Sequence, residues 1–417
     1  MFKLQRIPFQ VDILLVELQQ FFNEYQWLHF RSILLALMVI PYKATLNGMV
    51  KILSFRSHRS KHNEFLNDCS GILGKALKFY AMLILQLLKK TGEAKYFIID
   101  DTTNKIRGKH IMAASSFFDH TTKQYIWGQQ LVCAVIEYRG IVIPYAIELY
   151  IPKEEAKTRG YEFKKKTEIA AEILDSFEAD KKQSAEGGIF VIADTYYASP
   201  IIMNPCRQKG YSFVSMLKTN RILKINGKQM NVLSYTKRYF NKRNRKRIIK
   251  IDRKKYQVSS AKVILKSGGA VKIVCTRSLS HYTVKTIFTT NSALLRLRRK
   301  SILTAYSKRW SIEVFFKMSK QYLGLRAYQS VNLPAIQSSV RLSLISYNLP
   351  THVFISEKRA QGKRLTDKNL AQFSVLSTRD RLRQLTMIDS IEYCLERNIN
   401  KSKDKTTTEI KQMLLAA

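Results

Sequence analysis

Tyr306 to Lys320 reads YSKRWSIEVFFKMSK, which places one acidic residue, Glu313, among cations in a helical pattern. Residues three, four and seven apart lie on one face of an α-helix. Four residues have this spacing and should lie within roughly 60° of one another: Tyr306, Arg309, Glu313 and Lys320. Trp310, beside Arg309, is expected to pack against the core. An ordinary surface ion pair between Arg309 and Glu313 also explains the spacing, so the residues upstream must decide between the two interpretations.

Two apolar strand patterns upstream end in carboxylates. YFIIDD ends in Asp100 and Asp101, and GGIFVIAD ends in Asp194. A strand that buries apolar side chains and then ends on a carboxylate places it at the edge of the sheet, where ligands bind in open α/β folds. Two strands and a helix could therefore bring Asp101, Asp194 and Glu313 together.

Three converging carboxylates repel one another unless cations lie among them. Magnesium suits this role because it prefers oxygen ligands and is usually held by one or two carboxylates, water and substrate phosphate. Two such ions about 3.5–4 Å apart can activate a water and stabilise the leaving oxygen in phosphodiester cleavage. The simpler alternative is that each aspartate caps the turn that follows it.

The charge of the chain indicates its partner. The 417 residues include 71 Lys and Arg against 31 Asp and Glu, a net charge of +40, with a pI near 10.0. This balance favours a polyanion, and nucleic acid fits because each neutralised phosphate releases counterions. An anionic membrane surface is the rival partner. With 46% hydrophobic residues the chain is globular rather than disordered.

We expect no membrane span, because no stretch reaches the ~18 apolar residues that crossing a bilayer requires. Asp12 and Glu17 interrupt the apolar start, so a signal peptide is not expected and the protein should be cytoplasmic. The five cysteines are scattered without paired spacing, which predicts reduced, mostly buried thiols rather than zinc ligands or disulfides.

Hydrophobic periodicity predicts an α/β protein with a mixed sheet as its core. Helical patterns such as Val11 to Tyr25 predict an N-terminal helical domain over residues 1–90, with a DNA-binding role. The first part of the core covers 91–220, with a long hairpin at Arg139 and Gly140. A β-rich basic insertion covers 221–292, the rest of the core 293–355, and C-terminal helices with a tail 356–417.

The insertion contains the densest basic run, Lys237 to Lys255, in which 11 of 19 positions are Lys or Arg. Charge runs are usually solvated faces. The aromatic residues Tyr239 and Phe240 within this one favour a surface that tracks phosphates. The candidate phosphate ligands here are Lys242, Arg243, Arg245, Lys246 and Arg247.

Several motifs occur in an order that resembles a known family. IDDTT is followed by GKH, WGQQ and IADTYYAS, and then by Tyr306, Arg309, Glu313 and Lys320 with LGL behind them. From about Tyr96 to Ser330 the chain resembles the DDE transposases of bacterial insertion sequences, in the group with a Y-R-E-K signature.

The resemblance implies a ribonuclease-H-like core that binds two Mg²⁺ or Mn²⁺ ions and acts as a homodimer on paired DNA ends. It implies that Asp101, Asp194 and Glu313 are the catalytic, metal-binding carboxylates. Tyr306, Arg309 and Lys320 would contact phosphates near the cleaved end. The motif selects Asp101 because it directly precedes the threonine, but a shift of one residue would select Asp100 instead.

The sequence thus predicts a transposase that nicks double-stranded DNA at transposon ends and joins the freed 3′-hydroxyl to a target. The protein would work in the bacterial cytoplasm, associated with the nucleoid. Two alternatives stay open: a catalytically inactive DNA-binding protein derived from such an enzyme, and a metal-dependent nuclease without strand transfer.

Overall fold

A computed structural model gives the fold. It describes residues 4, 7–40, 44–53, 58–108, 110–119, 123–178, 188–240, 247–251, 254–266, 268–279, 284–290 and 298–397.

The chain begins with helices: α1 (Phe9–Leu15), a 3₁₀ segment (Val16–Phe21), α2 (Glu24–Val39), α3 (Leu46–Ile52), α4 (Arg59–Asp68) and α5 (Ser70–Leu87). The predicted helix from Val11 to Tyr25 is interrupted, because Asn23 begins a new helix there. Its side chain accepts from the Gln26 N–H, and the Gln26 side chain accepts from the Asn23 N–H. This capping box satisfies backbone donors that a continuous helix would have bonded internally.

The prediction that no segment could span a membrane needs one correction. With 18 residues, α5 is long and apolar enough to cross a bilayer. Its Tyr80 and Ile84 are nevertheless fully buried in the protein, and the Tyr80 hydroxyl hydrogen-bonds to His352. A buried core helix passes the same composition test, so α5 is weak evidence for a span.

The strands are β1 (Lys95–Lys105), β2 (Ser115–Asp119), β3 (Gln124–Tyr138), β4 (Ile141–Tyr150), β5 (Ile189–Ala193), β6 (Ser212–Met216), β7 (Ile222–Ile225), β8 (Lys228–Asn231), β9 (Arg247–Ile251), β10 (Lys254–Leu265), β11 (Gly269–Ser278) and β12 (Lys285–Thr289). They form a sheet in the order β2-β3-β1-β5-β6-β12-β11-β10-β7-β8, with β4 paired to β3 and β9 to β10.

The centre of the sheet is mixed. β1, β5 and β6 are parallel, whereas β3 and β4 form the antiparallel hairpin that the sequence predicted. Arg139 and Gly140 connect β3 to β4 with φ of 54° and 84°. Two consecutive positive φ angles are typical of the turn that matches the twist of a tight hairpin.

The basic insertion continues this same sheet. β12 pairs antiparallel with β6, at Ile287 opposite Met216, and β11 and β10 follow. A short helix, α9 (Val232–Tyr235), and a π-helical turn (Thr236–Phe240) lie between β8 and β9. Strands of the insertion are therefore in fixed register with the strand next to β5.

Helices cover the sheet. Those between the strands are α6 (Lys153–Arg159), α7 (Lys166–Asp175) and α8 (Pro200–Gln208); those after the last strand are α10 (Arg299–Ser307), α11 (Trp310–Tyr322), α12 (Leu333–Ala360), α13 (Asp367–Leu370) and α14 (Val375–Arg397). All five cysteines are buried free thiols, as predicted.

The stretch from Tyr306 to Lys320 is two helices rather than one. α10 ends at Ser307, and the N–H groups of Lys308 and Arg309 bond to carbonyls three residues back. Hydrogen bonds that span three residues instead of four tighten the turn. The regular α-helix therefore stops here and starts again at Trp310. Trp310 itself is 65% exposed, so the expectation that it packs against the core is wrong.

Candidate active site

Asp100 and Asp194 lie side by side on neighbouring strands. β1 and β5 are parallel, with Ile99 opposite Ala193. Their next residues are therefore also adjacent, and residues in register on parallel strands point to the same face. Asp100 and Asp194 share the face of the sheet that meets α10 and α11, which we call the α10–α11 face.

Arg309 connects this aspartate pair to the helix. One guanidinium nitrogen lies 3.0 Å from Asp100 Oδ2 and 3.1 Å from Glu313 Oε1. The charge of the same guanidinium also acts on the Tyr306 hydroxyl, where it opposes the rise in pKa that burial causes. The break between α10 and α11 places Arg309 at this junction. Three members of the predicted signature, Tyr306, Arg309 and Glu313, thus meet Asp100 at one point.

The two aspartates are held in an environment that disfavours their charge. Burial, followed by repulsion from Asp194 and Asp101, raises the pKa of Asp100 to about 7, although Arg309 opposes the shift. Burial also raises the pKa of Asp194, although its Oδ1 accepts from the Tyr196 N–H at 2.7 Å. Such a pair favours a bound cation, and in this state Arg309 supplies one.

Asp101 lies on the opposite face, because successive side chains of a strand alternate. Its two oxygens are occupied separately: Oδ2 lies 2.9 Å from Lys166 Nζ of α7, and Oδ1 accepts from the Tyr197 hydroxyl at 2.9 Å. The structure therefore places Asp101 close to the aspartate pair, but with its carboxylate engaged away from Arg309 and Glu313.

Lys320 reaches β1 two residues beyond Asp100. Its ammonium donates to Thr102 Oγ1 at 2.6 Å and to the Thr103 carbonyl at 2.9 Å. Burial lowers the pKa of Lys320 to about 8, with a further contribution from Arg326 that Glu313 partly offsets. Lys320 thus lies on the same face as the site, next to the threonines of the IDDTT motif.

The carboxylates of Asp100, Asp194 and Glu313 are of the ligand type that binds divalent metals. Carboxylate oxygens are hard ligands of the kind that Mg²⁺ and Mn²⁺ prefer. Burial and the neighbouring carboxylates raise the pKa of Asp100, and a bound cation would oppose that rise. Across the described part of the chain, however, no three His, Cys, Asp or Glu side chains are grouped closely enough to hold an ion. Arg309 bridges Asp100 and Glu313 in this structure, so these carboxylates suit a divalent cation by ligand type while the arginine lies between them.

The basic run is only partly described. Lys242, Arg243, Arg245 and Lys246 lie outside the described residues. Arg247 begins β9, where it is exposed and pairs with Val258 of β10. The structure therefore places Arg247 on the insertion, away from the carboxylates, and does not bear on the other four.

Sequence reasoning missed the residues that engage Asp101. Lys166 lies in a charged amphipathic stretch with nothing to distinguish it from its neighbours, and Tyr197 is one of two adjacent tyrosines. Their roles depend on how α7 and the turn after β5 pack against β1. The choice between Asp100 and Asp101 likewise required the register of β1 against β5.

Comparison with protein families gives a match over the central part of the chain. A family model described as transposase DDE domain matches residues 93–349. This span runs from just before β1 into α12 and includes every carboxylate discussed above. No curated protein matches the chain.

Proposed function

Because the chain belongs to the transposase DDE domain family, we propose that it is a cut-and-paste DNA transposase of a bacterial insertion sequence. It would bind the ends of its element, cleave the strands in a metal-dependent reaction and join the freed ends to target DNA. The observation that supports this most strongly is the adjacency of Asp100 and Asp194 on parallel strands, with Arg309 linking them to Glu313. Acids gathered on one face at the ends of strands suit phosphodiester chemistry.

We assign the metal-binding role to Asp100, Asp194 and Glu313. The geometry favours Asp100 over Asp101, because Asp100 shares its face with Asp194 and contacts the arginine that also contacts Glu313. Asp101, bonded to Lys166 and Tyr197, then acts as a positioning residue at the end of β1. When bound, one or two Mg²⁺ or Mn²⁺ ions would lower the pKa of an attacking water and stabilise the leaving oxygen.

The cations of the site have separate roles in this proposal. Arg309 neutralises Asp100 and Glu313 before DNA arrives, and its planar fork can bind a phosphate when it leaves them. Tyr306 donates to the same phosphate. Lys320, held by Thr102 and Thr103, places a positive charge next to the strand end where DNA would lie.

The remaining features of the proposal follow from the fold and charge. The mixed sheet with acids on its central parallel strands supports a ribonuclease-H-like core. A net charge of +40 supports double-stranded DNA as partner, with Arg247 and its basic neighbours as phosphate ligands. We also propose that the protein acts as a homodimer on paired DNA ends. Its proposed location is the cytoplasm, at the nucleoid.

The deciding experiment is cleavage and strand transfer on labelled duplexes that carry the ends of the element, in Mg²⁺. The native protein should give end-specific nicks and joined products. Asp100→Asn, Asp194→Asn and Glu313→Gln should each lose at least about 100-fold in rate while still binding DNA, because each removes a ligand of the reacting centre.

Asp101→Asn is the matched control, since it makes the same replacement of a carboxylate oxygen by an amino group in the neighbouring residue. It should retain measurable activity, and a loss as complete as that of Asp194→Asn together with an active Asp100→Asn would reverse the assignment. Cleavage without joined products would indicate a nuclease. DNA binding without any metal-dependent chemistry would indicate an inactive DNA-binding descendant.

A further inference from the structure

Two lysines of the insertion lie directly opposite one another. β10 and β11 are antiparallel, and Lys262 pairs with Lys272 in their register. Directly opposed residues of an antiparallel pair have Cβ atoms about 4.5–5.5 Å apart, and like charges in this position destabilise the sheet. Lys262 is exposed and Lys272 is half-buried. The two ammonium groups are therefore carried on one face of the insertion by neighbouring strands.

A third cation joins them from a helix. Arg299, the first residue of α10, donates from Nε to Ser260 Oγ at 2.8 Å. Ser260 lies two residues before Lys262 on β10, so it is on the same face. Burial lowers the pKa of Lys272, and the charges of Arg299 and Lys262 lower it further. The three cations therefore interact with one another electrostatically.

A buried hydroxyl is a cross-strand neighbour of Lys272 on the next strand, β12. Thr289 of β12 pairs with Lys272, so both side chains point to the same face. The Thr289 side chain is fully buried, and its Oγ1 has no hydrogen-bond partner in the described part of the protein. Buried polar groups are rarely left unpaired. The Thr289 hydroxyl lies one strand from Lys272, and Lys262 follows on the next strand.

This cluster lies on the α10–α11 face. Ser260 pairs with Val274, Val274 with Ile287 and Ile287 with Met216, so these side chains share one face. Val214, two residues before Met216, pairs with Ile192, two residues before Asp194, which puts Asp194 on that face as well. β10 is separated from β5 by four strand spacings, about 19 Å at the usual ~4.8 Å per strand. α10 crosses the same face, with Arg299 at its start in the cluster and Tyr306 near its end beside Arg309.

We propose that Lys262, Lys272 and Arg299 form a binding site for a single phosphate of the DNA backbone, separate from the carboxylate site. The site rests on the proposed function, because it takes the same bound duplex as the carboxylates do. Since B-DNA rises about 3.4 Å per base pair, the contacted phosphate lies about five to six base pairs from the cleaved bond. The helix α10 then runs from the phosphate-binding cluster at Arg299 towards the carboxylate site.

The test is the salt dependence of binding to a duplex of about 30 base pairs of arbitrary sequence. Each neutralised phosphate contributes about −0.9 to the slope of log K against log salt. Lys262→Gln/Lys272→Gln should reduce the magnitude of the slope by about 1, and Arg299→Gln should do the same. The double variant should unfold at the same or a higher temperature than the native protein, because it removes like-charge repulsion.

The control is Lys363→Gln/Lys368→Gln, which removes the same charge from two exposed lysines in the C-terminal part of the chain. An equal change of slope in the control would show a general effect of net charge and overturn the site. An unchanged slope in both cluster variants would overturn it as well. Inorganic phosphate provides a second arm: if it raises the unfolding temperature of the native protein as strongly as the duplex does, and not that of the double variant, the site binds free phosphate instead of DNA.

These experiments distinguish failure of the phosphate site from failure of the proposed function. Asp194→Asn removes a carboxylate of the reacting centre and should leave the slope at least as steep as in the native protein. If the native protein neither cleaves nor joins DNA but the cluster variants still lose about one unit of slope, the phosphate site stands and the transposase proposal fails. If cleavage is confirmed and the slopes do not change, only the phosphate site fails.

Discussion

Arg309 links the parts of the candidate site. It ends the turn between α10 and α11, contacts Asp100 and Glu313 at 3.0 and 3.1 Å, and interacts electrostatically with Tyr306. In this position its charge compensates two buried or half-buried carboxylates. Removing Arg309 would leave Asp100 beside Asp194 with less positive charge nearby, and the site would then favour a protonated aspartate.

The raised pKa of Asp100 predicts a pH-dependent stability. A carboxyl with a pKa of about 7 in the folded protein and about 4 when unfolded binds more protons when folded. Between these values the stability of the metal-free protein therefore falls as pH rises, and it levels off above about pH 7. Asp100→Asn should raise the unfolding temperature by a few degrees at pH 8, in the presence of a chelator, and by clearly less at pH 5.

Comparing variant with native protein at each pH matters here. Burial also lowers the pKa of His62 and of His352, each to about 4, and these groups destabilise the fold as pH falls. Their contribution is common to both proteins and cancels in the difference. An equal gain from Asp100→Asn at pH 5 and pH 8 would contradict the raised pKa.

Two motifs that the sequence singled out are joined through β1. Gly128 of the WGQQ motif pairs with Lys105 and lies against the Asn104 carbonyl. The Asn104 amide in turn donates to the Leu325 carbonyl of the LGL segment at 2.7 Å. The Tyr328 hydroxyl donates to Gln129 Oε1 at 2.7 Å. These contacts hold β3, β1 and the segment that follows α11 together.

Gly128→Ala should therefore destabilise the protein. A Cβ at this position would meet the Asn104 carbonyl oxygen and the Thr103 side chain, and backbone cannot move aside as the end of a flexible side chain can. We expect a loss of about 1–3 kcal/mol in the free energy of unfolding, measured by denaturant titration. Gly71→Ala is the control, because a Cβ there meets nothing within 4 Å and the residue lies in α5. An equal effect of the two changes would show that close approach is not the reason for the glycine.

The N-terminal helices and the sheet share one hydrophobic core. Arg341 of α12, which is largely buried, donates to the Ser70 carbonyl of α5 and makes two bonds of 2.8 and 2.7 Å to Glu148 of β4. Tyr80 of α5 is fully buried and bonds to His352. These contacts join residues far apart in the sequence and cover apolar faces of α5 and α12 that would otherwise be exposed to water.

A chain that begins at Thr91 should consequently fail to fold on its own. Removing α1–α5 would expose the buried face of α12 and leave Arg341 without its Ser70 acceptor, so we expect aggregation and a broad unfolding transition. Size-exclusion chromatography and circular dichroism measure this. Co-expression of residues 1–90 as a separate chain should restore a soluble complex. A soluble, cooperatively unfolding fragment without that partner would show that the helices form an independent domain.

The sequence by itself determined the strands that end in carboxylates, the β3–β4 hairpin, the helical start, the basic insertion and the family resemblance. Each of these depends on local periodicity, turn residues or composition, which neighbouring residues specify. Only the tertiary structure placed Asp100 on one face with Asp194 and in contact with Arg309, ended α10 before Arg309, attached the insertion to β6 and aligned Lys262 with Lys272. Those features depend on strand register and on packing between distant segments. A shift of one residue in register reverses the face of every side chain, and no local pattern in the chain fixes that shift.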